Sequence, residues 1–235
     1  MQAVIMAGGK GTRLKPYTIT IPKPLVPVQE TPVLEIIIRQ LKHNGFKKII
    51  LAVGHMGEMI QAYFGNGSKF GIDIGYSYET EPLGTIAPLK LIDGLEENFI
   101  VMNSDDLTDL NYIDLLNSHI KMNSMVTIGQ YKKEQQISLG VLETDINMNL
   151  LNYVEKPVYN FNVSMGIYAF HKKAVNYIPE NEYFDFPSLI KNLLKNNEKV
   201  VCYSHSGFWL DIGRPEDYVE ANEKFSHYKK FLFGE

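Results

Sequence analysis

Cysteine is almost missing from this chain of 235 residues: Cys202 stands alone, so no internal disulfide can form, and a reducing compartment, the cytoplasm, is the expected setting. Its place in a strand-like run suggests a small buried thiol rather than a nucleophile. No run of eighteen apolar residues occurs, which leaves no expected membrane span and no membrane partner. A signal-peptide pattern is lacking too, since glycine and lysine arrive by residue 10. The six histidines show neither HxxxH nor HxH spacing, so no zinc site is expected. With a net charge of −4 the chain does not look like a nucleic-acid binder. Repeats, low-complexity linkers and composition breaks are absent, which favours one domain over 1–235. One further gap is local: no acidic residue precedes Glu30, although the opening carries Lys10, Arg13, Lys15 and Lys23.

What is present reads as alternating strand and helix. Gln2–Met6, Lys48–Val53 and Phe99–Met102 are strand-like runs, and Ile72–Tyr78 alternates apolar with small or polar residues, as a strand buried on one face does. Between them the spacing predicts helices over Thr31–Asn44, with Thr31 as N-cap and Pro32 at the first helical position, over His55–Phe64 and over Leu83–Ile92. A further helix is expected over Asn111–Lys121. From Met125 to Phe170 strand patterns dominate, with turns expected at Lys132–Gln136 and Asp145–Asn149. Helices over Pro187–Asn196 and Pro215–Phe225 close the pattern. The expected fold is α/β: a Rossmann-like three-layer α/β/α arrangement with a mixed, mostly parallel central sheet and a small antiparallel extension. In such sheets ligands sit beyond the carboxyl ends of the strands.

The four early cations lie in MAGGKGTRLKPYTITIPKP, directly after a strand. Positive charge gathered on a glycine-rich turn points to a bound anion. The P-loop pattern fails, because Lys10 precedes Gly11 rather than following the last glycine. The dinucleotide pattern GxGxxG fits Gly9 and Gly11 but meets Leu14 at its third glycine. The pattern GGxGTRLxPxTxxxPKP is filled throughout, by Gly8, Gly9, Gly11, Thr12, Arg13, Leu14, Pro16, Thr18, Pro22, Lys23 and Pro24. The chain thereby resembles the sugar-1-phosphate nucleotidylyltransferases, nearest in its motifs to mannose-1-phosphate guanylyltransferase-like enzymes. The resemblance runs from Met1 to about Phe225. It implies transfer of a nucleotidyl group from a nucleoside triphosphate to a sugar 1-phosphate, with magnesium as cofactor and these two small molecules as partners.

Residue by residue, the resemblance implies that Ala7, Gly8, Gly9, Gly11 and Thr12 bind nucleotide and that Arg13 and Lys23 act on the triphosphate. Asp105, in FIVMNSDDL, and Asp211, in FWLDIGRPEDY, would hold the metal together, with Asn103 beside the nucleotide. Alternation along an extended chain would turn Asp106 away from Asp105, so Asp106 and Asp109 are expected to cap a helix or face solvent. SYETEPLGT matches the base-recognition loop at Pro82, Leu83, Gly84 and Thr85; Ile86-Ala87 replaces the usual Ala-Gly. Glu79 would face the base, where a carboxylate can accept from both guanine N1–H and its amine, so GTP is the expected triphosphate, with UTP, dTTP and CTP as alternatives. For the sugar phosphate the resemblance implies Gly140, Glu155, Lys156 and Ser164, the last standing where Asn is usual. Glu155 and Lys156, side by side on a strand, would point to opposite faces. A non-catalytic nucleotide-sugar-binding subunit is the alternative class. No C-terminal left-handed β-helix is expected, and the amphipathic tail 226–235 is a candidate homodimer contact or ordinary surface packing.

Overall fold

The structure, a computed structural model, describes residues 1–233, with side chains through 229. The chain begins with strand β1 (Gln2–Ala7), whose alternate residues Ala3, Ile5 and Ala7 face one core while Val4 faces another. After the glycine-rich turn come two short strands, β2 (Pro27–Val28) and β3 (Thr31–Pro32), which pair antiparallel. Helix α1 (Val33–His43) follows, so Thr31 and Pro32 lie outside the helix and Pro32 occupies the cap position. Its Leu34, Ile36, Ile37, Ile38 and Leu41 are fully buried, each stabilising by up to ~1.5–3 kcal/mol relative to exposure. Then come β4 (Lys48–Val53), α2 (Gly57–Phe64) and β5 (Asp73–Tyr78).

Residues 83–86 form an irregular loop, and only Ala87–Leu91 coils, as a short 3₁₀ turn. The helix expected over Leu83–Ile92 is therefore not formed. The reason is local: Gly84 has a φ of +94°, and the backbone of the loop bonds to Phe184 instead of to itself. Strand β6 (Asn98–Asn103) and a short strand β7 (Asp106–Thr108) lead to α3 (Tyr112–Met122), capped by the Asn111 side chain. Next are β8 (Val126–Gln136), β9 (Val141–Thr144), β10 (Leu150–Val154) and β11 (Val158–His171). Lys132–Gln136, expected as a turn, is the outer half of β8, paired residue for residue with β11. Asp145–Asn149 is a turn as expected, closed by the Asp145 carboxylate accepting from Asn147 and Asn149 N–H groups. The chain continues through α4 (Phe186–Lys195), β12 (Val200–His205), β13 (Trp209–Asp211) and α5 (Pro215–Phe233).

The central sheet has seven strands in the order β12-β8-β11-β6-β1-β4-β5. Only β11 runs antiparallel to its neighbours, so the sheet is mixed but mostly parallel. One face is covered by α1, α2, α3 and α5 and the other by α4 with 3₁₀ segments at Ala87–Leu91 and Lys172–Tyr177. Cys202 lies on the edge strand β12 and is exposed, not buried, because an edge strand has one flank without a neighbour. In the tail, Tyr228 stacks on Phe208 with ring centroids 3.8 Å apart; 234–235 and the side chains from 230 onward lie outside the described residues.

His119 on α3 is fully buried against β8. Its Nδ1 lies 2.9 Å from Thr127 Oγ1 and 3.0 Å from Ser124 Oγ, while Nε2 is buried without a partner. Burial, with a smaller contribution from His171, lowers its pKa to about 4. The unfolded chain takes up this proton near pH 6.5, so between there and pH 4 the unfolded state binds more protons and stability falls as pH falls. The total effect is about 3 kcal/mol. Urea unfolding should show this acid loss between pH 7 and 4.5 in the parent and a flatter dependence in His119→Asn; identical slopes would mean His119 is not its source.

Candidate active site

Strands β1, β4, β5 and β6 run parallel, so their carboxyl ends open on one side of the sheet. A cavity of about 900 Å³ sits there. Gly8, Gly9 and Gly11 after β1, Gly54 after β4, Glu79 after β5 and Asn103 at the end of β6 all line it. So do Thr12, Arg13, Lys23, Pro82, Gly84, Thr85 and Asp105. Ala7 is the buried last residue of β1 and does not line it. Lys10, Ser104 and Gly213, which stand inside the motifs without an expected role, line it as well, as do His55 and Tyr183, which no motif contains.

Two glycines have distinct reasons to be glycine. A Cβ on Gly8 would lie 2.4 Å from Glu79 Oε1, so the turn makes room for this carboxylate. Gly9, by contrast, has nothing of the protein within 4 Å of where its Cβ would be. Glu79 Oε2 accepts the Leu83 N–H at 3.1 Å. Burial pushes its carboxyl pKa up, and the Leu83 bond opposes this. The loop over 83–87, expected to read the base, is thus tied at one end to Glu79 and at the other to Phe184, whose backbone accepts from Ile86 and Ala87.

Across the cavity, Asp105 forms a close ion pair with Lys23, which is set between Pro22 and Pro24. Asp105, Asp106 and Asp211 each place a carboxylate oxygen within 4.8 Å of the others'. The expectation that Asp106 turns away is wrong. Strand β6 ends at Asn103, the chain bends at Ser104–Asp105, and β7 starts afresh at Asp106, so alternation does not carry across. Antiparallel pairing of β7 with β13 then sets Asp106 directly opposite Asp211. Asp106 is buried; its Oδ1 accepts the Trp209 indole N–H at 3.1 Å, and its Oδ2 has no partner. Burial first, then the charges of Asp105 and Asp211, push its pKa well above the usual carboxylate range. Burial first, then the charge of Asp105, raise Asp211 as well, against the pull of Lys23 and Arg13. Asp109 neither caps a helix nor faces solvent freely: its carboxylate lies 2.9 Å from His205 Nε2 and accepts the Phe208 N–H.

Of the four residues expected at the sugar phosphate, Gly140, Glu155 and Lys156 meet at the base of the β9–β10 hairpin, where the Tyr153 hydroxyl donates to Glu155 and fills the space a Cβ on Gly140 would take. Ser164 sits at a bulge in β11, and nearby Gly166 abuts Asn103 and Asp106 so closely that a Cβ there would lie 2.3 Å from either side chain. Gly140, Glu155 and Lys156 lie on the outer hairpin, outside the cavity lining. Glu155 and Lys156 follow β10 rather than lying within it. Lys156 has a φ of +47°, so the two side chains approach each other to 4.0 Å instead of pointing apart.

A family model described as nucleotidyl transferase matches residues 2–227. The chain belongs to the nucleotidyl transferase family. It is 33% identical to the UTP–glucose-1-phosphate uridylyltransferase of a Synechocystis species, over 94% of this chain and 62% of that one. It is 35% identical to the mannose-1-phosphate guanyltransferase of Yarrowia lipolytica, over 94% of this chain and 63% of that one. The chain therefore spans less than two thirds of the length of these curated relatives. Among solved structures, HddC from Yersinia pseudotuberculosis, complexed with GMP-PN, superposes with a TM-score of 0.74 at 28% identity, covering 95% of this chain and 99% of that one. A Bacillus anthracis chain solved with sucrose, 22% identical with a TM-score of 0.75, shares the fold.

Within this cluster, Asp106→Asn keeps an oxygen for the Trp209 N–H while removing a carboxylate that faces two others. In EDTA the variant should melt about 2–4 °C above the parent, a gain of about 1 kcal/mol. Scanning calorimetry checks this, and a lower melting temperature would mean that the third carboxylate stabilises the fold.

Proposed function

We propose that the chain transfers a nucleotidyl group from a nucleoside triphosphate, GTP in the first instance, to a sugar 1-phosphate. A phosphate oxygen of the sugar attacks the α-phosphorus, the bond from that phosphorus to the β-phosphate bridging oxygen breaks, and pyrophosphate leaves with the electron pair. The attacking oxygen is already anionic, so the step needs no general base. What carries this reading is one cavity lined by Arg13, Lys23 and Asp105, the last of which clusters with Asp106 and Asp211, two carboxylates outside the lining.

The chain's own groups suit the parts of this reaction. Gly9 leaves its backbone open to a phosphate, with no protein atom filling the space. Arg13 offers a planar fork of donors to phosphate oxygens. Lys23 spends one donor on Asp105 and keeps two for the triphosphate. Each such cation–phosphate pair is worth ~4 kcal/mol at an effective dielectric of ~20, before desolvation. Asp105 and Asp211 would hold magnesium: hard carboxylate oxygens suit it, and the buried, unpartnered Asp106 Oδ2 is the mark of a group built to face a cation. When bound, the ion supplies positive charge to the phosphoryl oxygens. Positioning and charge neutralisation by Arg13 and Lys23 do the rest.

GTP is preferred on Glu79, a half-buried carboxylate held by Leu83 where the base is expected, and on the guanyltransferase and GMP-PN-bound relatives. The uridylyltransferase relative is the reason to test the other bases. Ser164, which accepts the N–H of Gly166, the glycine that abuts Asn103 and Asp106, is the sugar-phosphate residue nearest the aspartate cluster in the chain. The cytoplasm, the reducing setting that a single cysteine fits, is the proposed compartment.

Pyrophosphate release should be measured with GTP, UTP, dTTP, CTP and ATP against mannose, glucose, glucosamine and heptose 1-phosphates. GTP should give the highest kcat/KM. Asp105→Ala and Asp211→Ala should each lower it by about 10³-fold or more, as loss of a principal electrostatic group does. Lys23→Ala should act on kcat. Binding of nucleotide without turnover in every combination would favour the non-catalytic subunit instead.

A further inference from the structure

Strand β13 is three residues long and pairs with β7 alone, outside the central sheet. Asp211 is its last residue. A pairing this short has few ladder bonds to hold its register, and a slip of one residue turns every side chain to the other face. Such a slip would take Asp211 away from Asp106 and bring an apolar residue, Leu210 or Ile212, into its place. Contacts beyond the ladder must therefore pin the strand. At its C-terminal end the Ile212 N–H donates to the Asp105 carbonyl at 3.0 Å. At its N-terminal end the chain comes off β12, at the edge of the central sheet, and turns through Ser206 and Gly207.

That turn is gripped by Asp109 and His205, to which the proposed reaction gives no part. The Asp109 N–H donates to the Phe208 carbonyl at 3.2 Å, which extends the β7–β13 ladder by one pair. The reciprocal bond does not go to backbone: the Phe208 N–H donates to the Asp109 carboxylate at 2.7 Å. The same oxygen, Oδ1, lies 2.9 Å from His205 Nε2. Also around Nε2 stand the Phe208 carbonyl at 3.2 Å and the Thr108 hydroxyl at 3.4 Å, whose own hydrogen goes to that carbonyl. All three neighbours offer lone pairs, so Nε2 carries a hydrogen and donates it to the carboxylate. Gly207 belongs to the same fit, since a Cβ there would lie 2.3 Å from Asp109 Oδ1. One oxygen, on the residue after β7, thus ties the last residue of β12 to the residue before β13.

We propose that Asp109 and His205 are positioning residues for the divalent cation, a latch that acts on Asp211 through the register of β13. The inference rests on the reading of Asp105 and Asp211 as the groups that hold that ion. Neither latch residue lines the cavity or belongs to the three-carboxylate cluster, so each acts on the ion through the strand. Partners that orient a metal ligand in this way set metal affinity by about 10–100-fold.

Binding of Mn²⁺, a paramagnetic stand-in for magnesium, followed by electron paramagnetic resonance with and without GTP, tests this without turnover. Asp109→Ala should raise the Mn²⁺ Kd by about 10-fold or more. Gly207→Ala should do the same although the carboxylate stays in the chain, because its Cβ takes the place of Oδ1. Asp109→Asn, whose amide oxygen can accept both hydrogens, should stay within about threefold of the parent. His119→Asn, altered in a buried cluster bonded to Thr127 and Ser124, should bind as the parent does, which separates register from general stability. Parent-like binding in either Asp109→Ala or Gly207→Ala, or an equal loss in His119→Asn, would overturn the latch. A parent that binds Mn²⁺ no more tightly than Asp211→Ala would instead overturn the reading of the aspartates as metal ligands, and the latch with it.

Discussion

Three carboxylates within 4.8 Å are the constraint on which the rest of this structure turns. At that separation each like-charged pair repels by about 3 kcal/mol at an effective dielectric of ~20. Nothing local could hold such a cluster, because its members come from the two ends of a hundred-residue stretch. The pairing of β7 with β13 does so, with Asp211 set opposite Asp106 and Trp209 clamping Asp106 from the side. Thr108 adds a bond from its hydroxyl to the Phe208 carbonyl, and the Gln40 amide on α1 donates to the Thr108 carbonyl. The buried core thus underwrites the electrostatic expense of the site.

The balancing charge comes from a third region. Lys23 reaches Asp105 because the glycine-rich turn folds tightly: Gly11 at φ +59° leaves room for Lys23 and Thr18, whose carbons already lie 3.0 Å from the missing Cβ. The first and middle thirds of the chain are therefore tied through charge as well as through packing. This explains why the turn needs glycine at Gly11 even before any ligand is considered.

How much of this could be read from the sequence follows from what each signal measures. Strands β1, β4, β5 and β6 and helices α1, α3 and α4 were legible because buried apolar residues repeat with a regular period. Thr31-Pro32 moved out of α1 because β2 captured it, a tertiary effect that cap rules do not see. The Leu83–Ile92 helix failed at Gly84, where a long-range bond to Phe184 outweighed local propensity. Motif matching placed Arg13, Lys23, Glu79 and Asp105 around one cavity, yet it missed Asp106, since one bend at Ser104–Asp105 reversed the direction of its side chain. The residue identity was visible; the break in strand geometry was not.

The ribbon of β8 and β11 beyond the central sheet, with the β9–β10 hairpin at its end, marks a different kind of limit. Leu142, Leu150, Leu151 and Phe161 would be taken as interior on hydrophobicity alone, and within one chain they are not. Hydrophobicity measures what a side chain prefers, not where the topology carries it. The same gap separates Glu155 and Lys156 from the cavity: their motif marks them for the sugar phosphate, while their position depends on how a ribbon with no core of its own is held. The ribbon continues β8 and β11 out of the central sheet, so where Glu155 and Lys156 stand follows from how those two strands leave it, a long-range feature that a short motif does not encode.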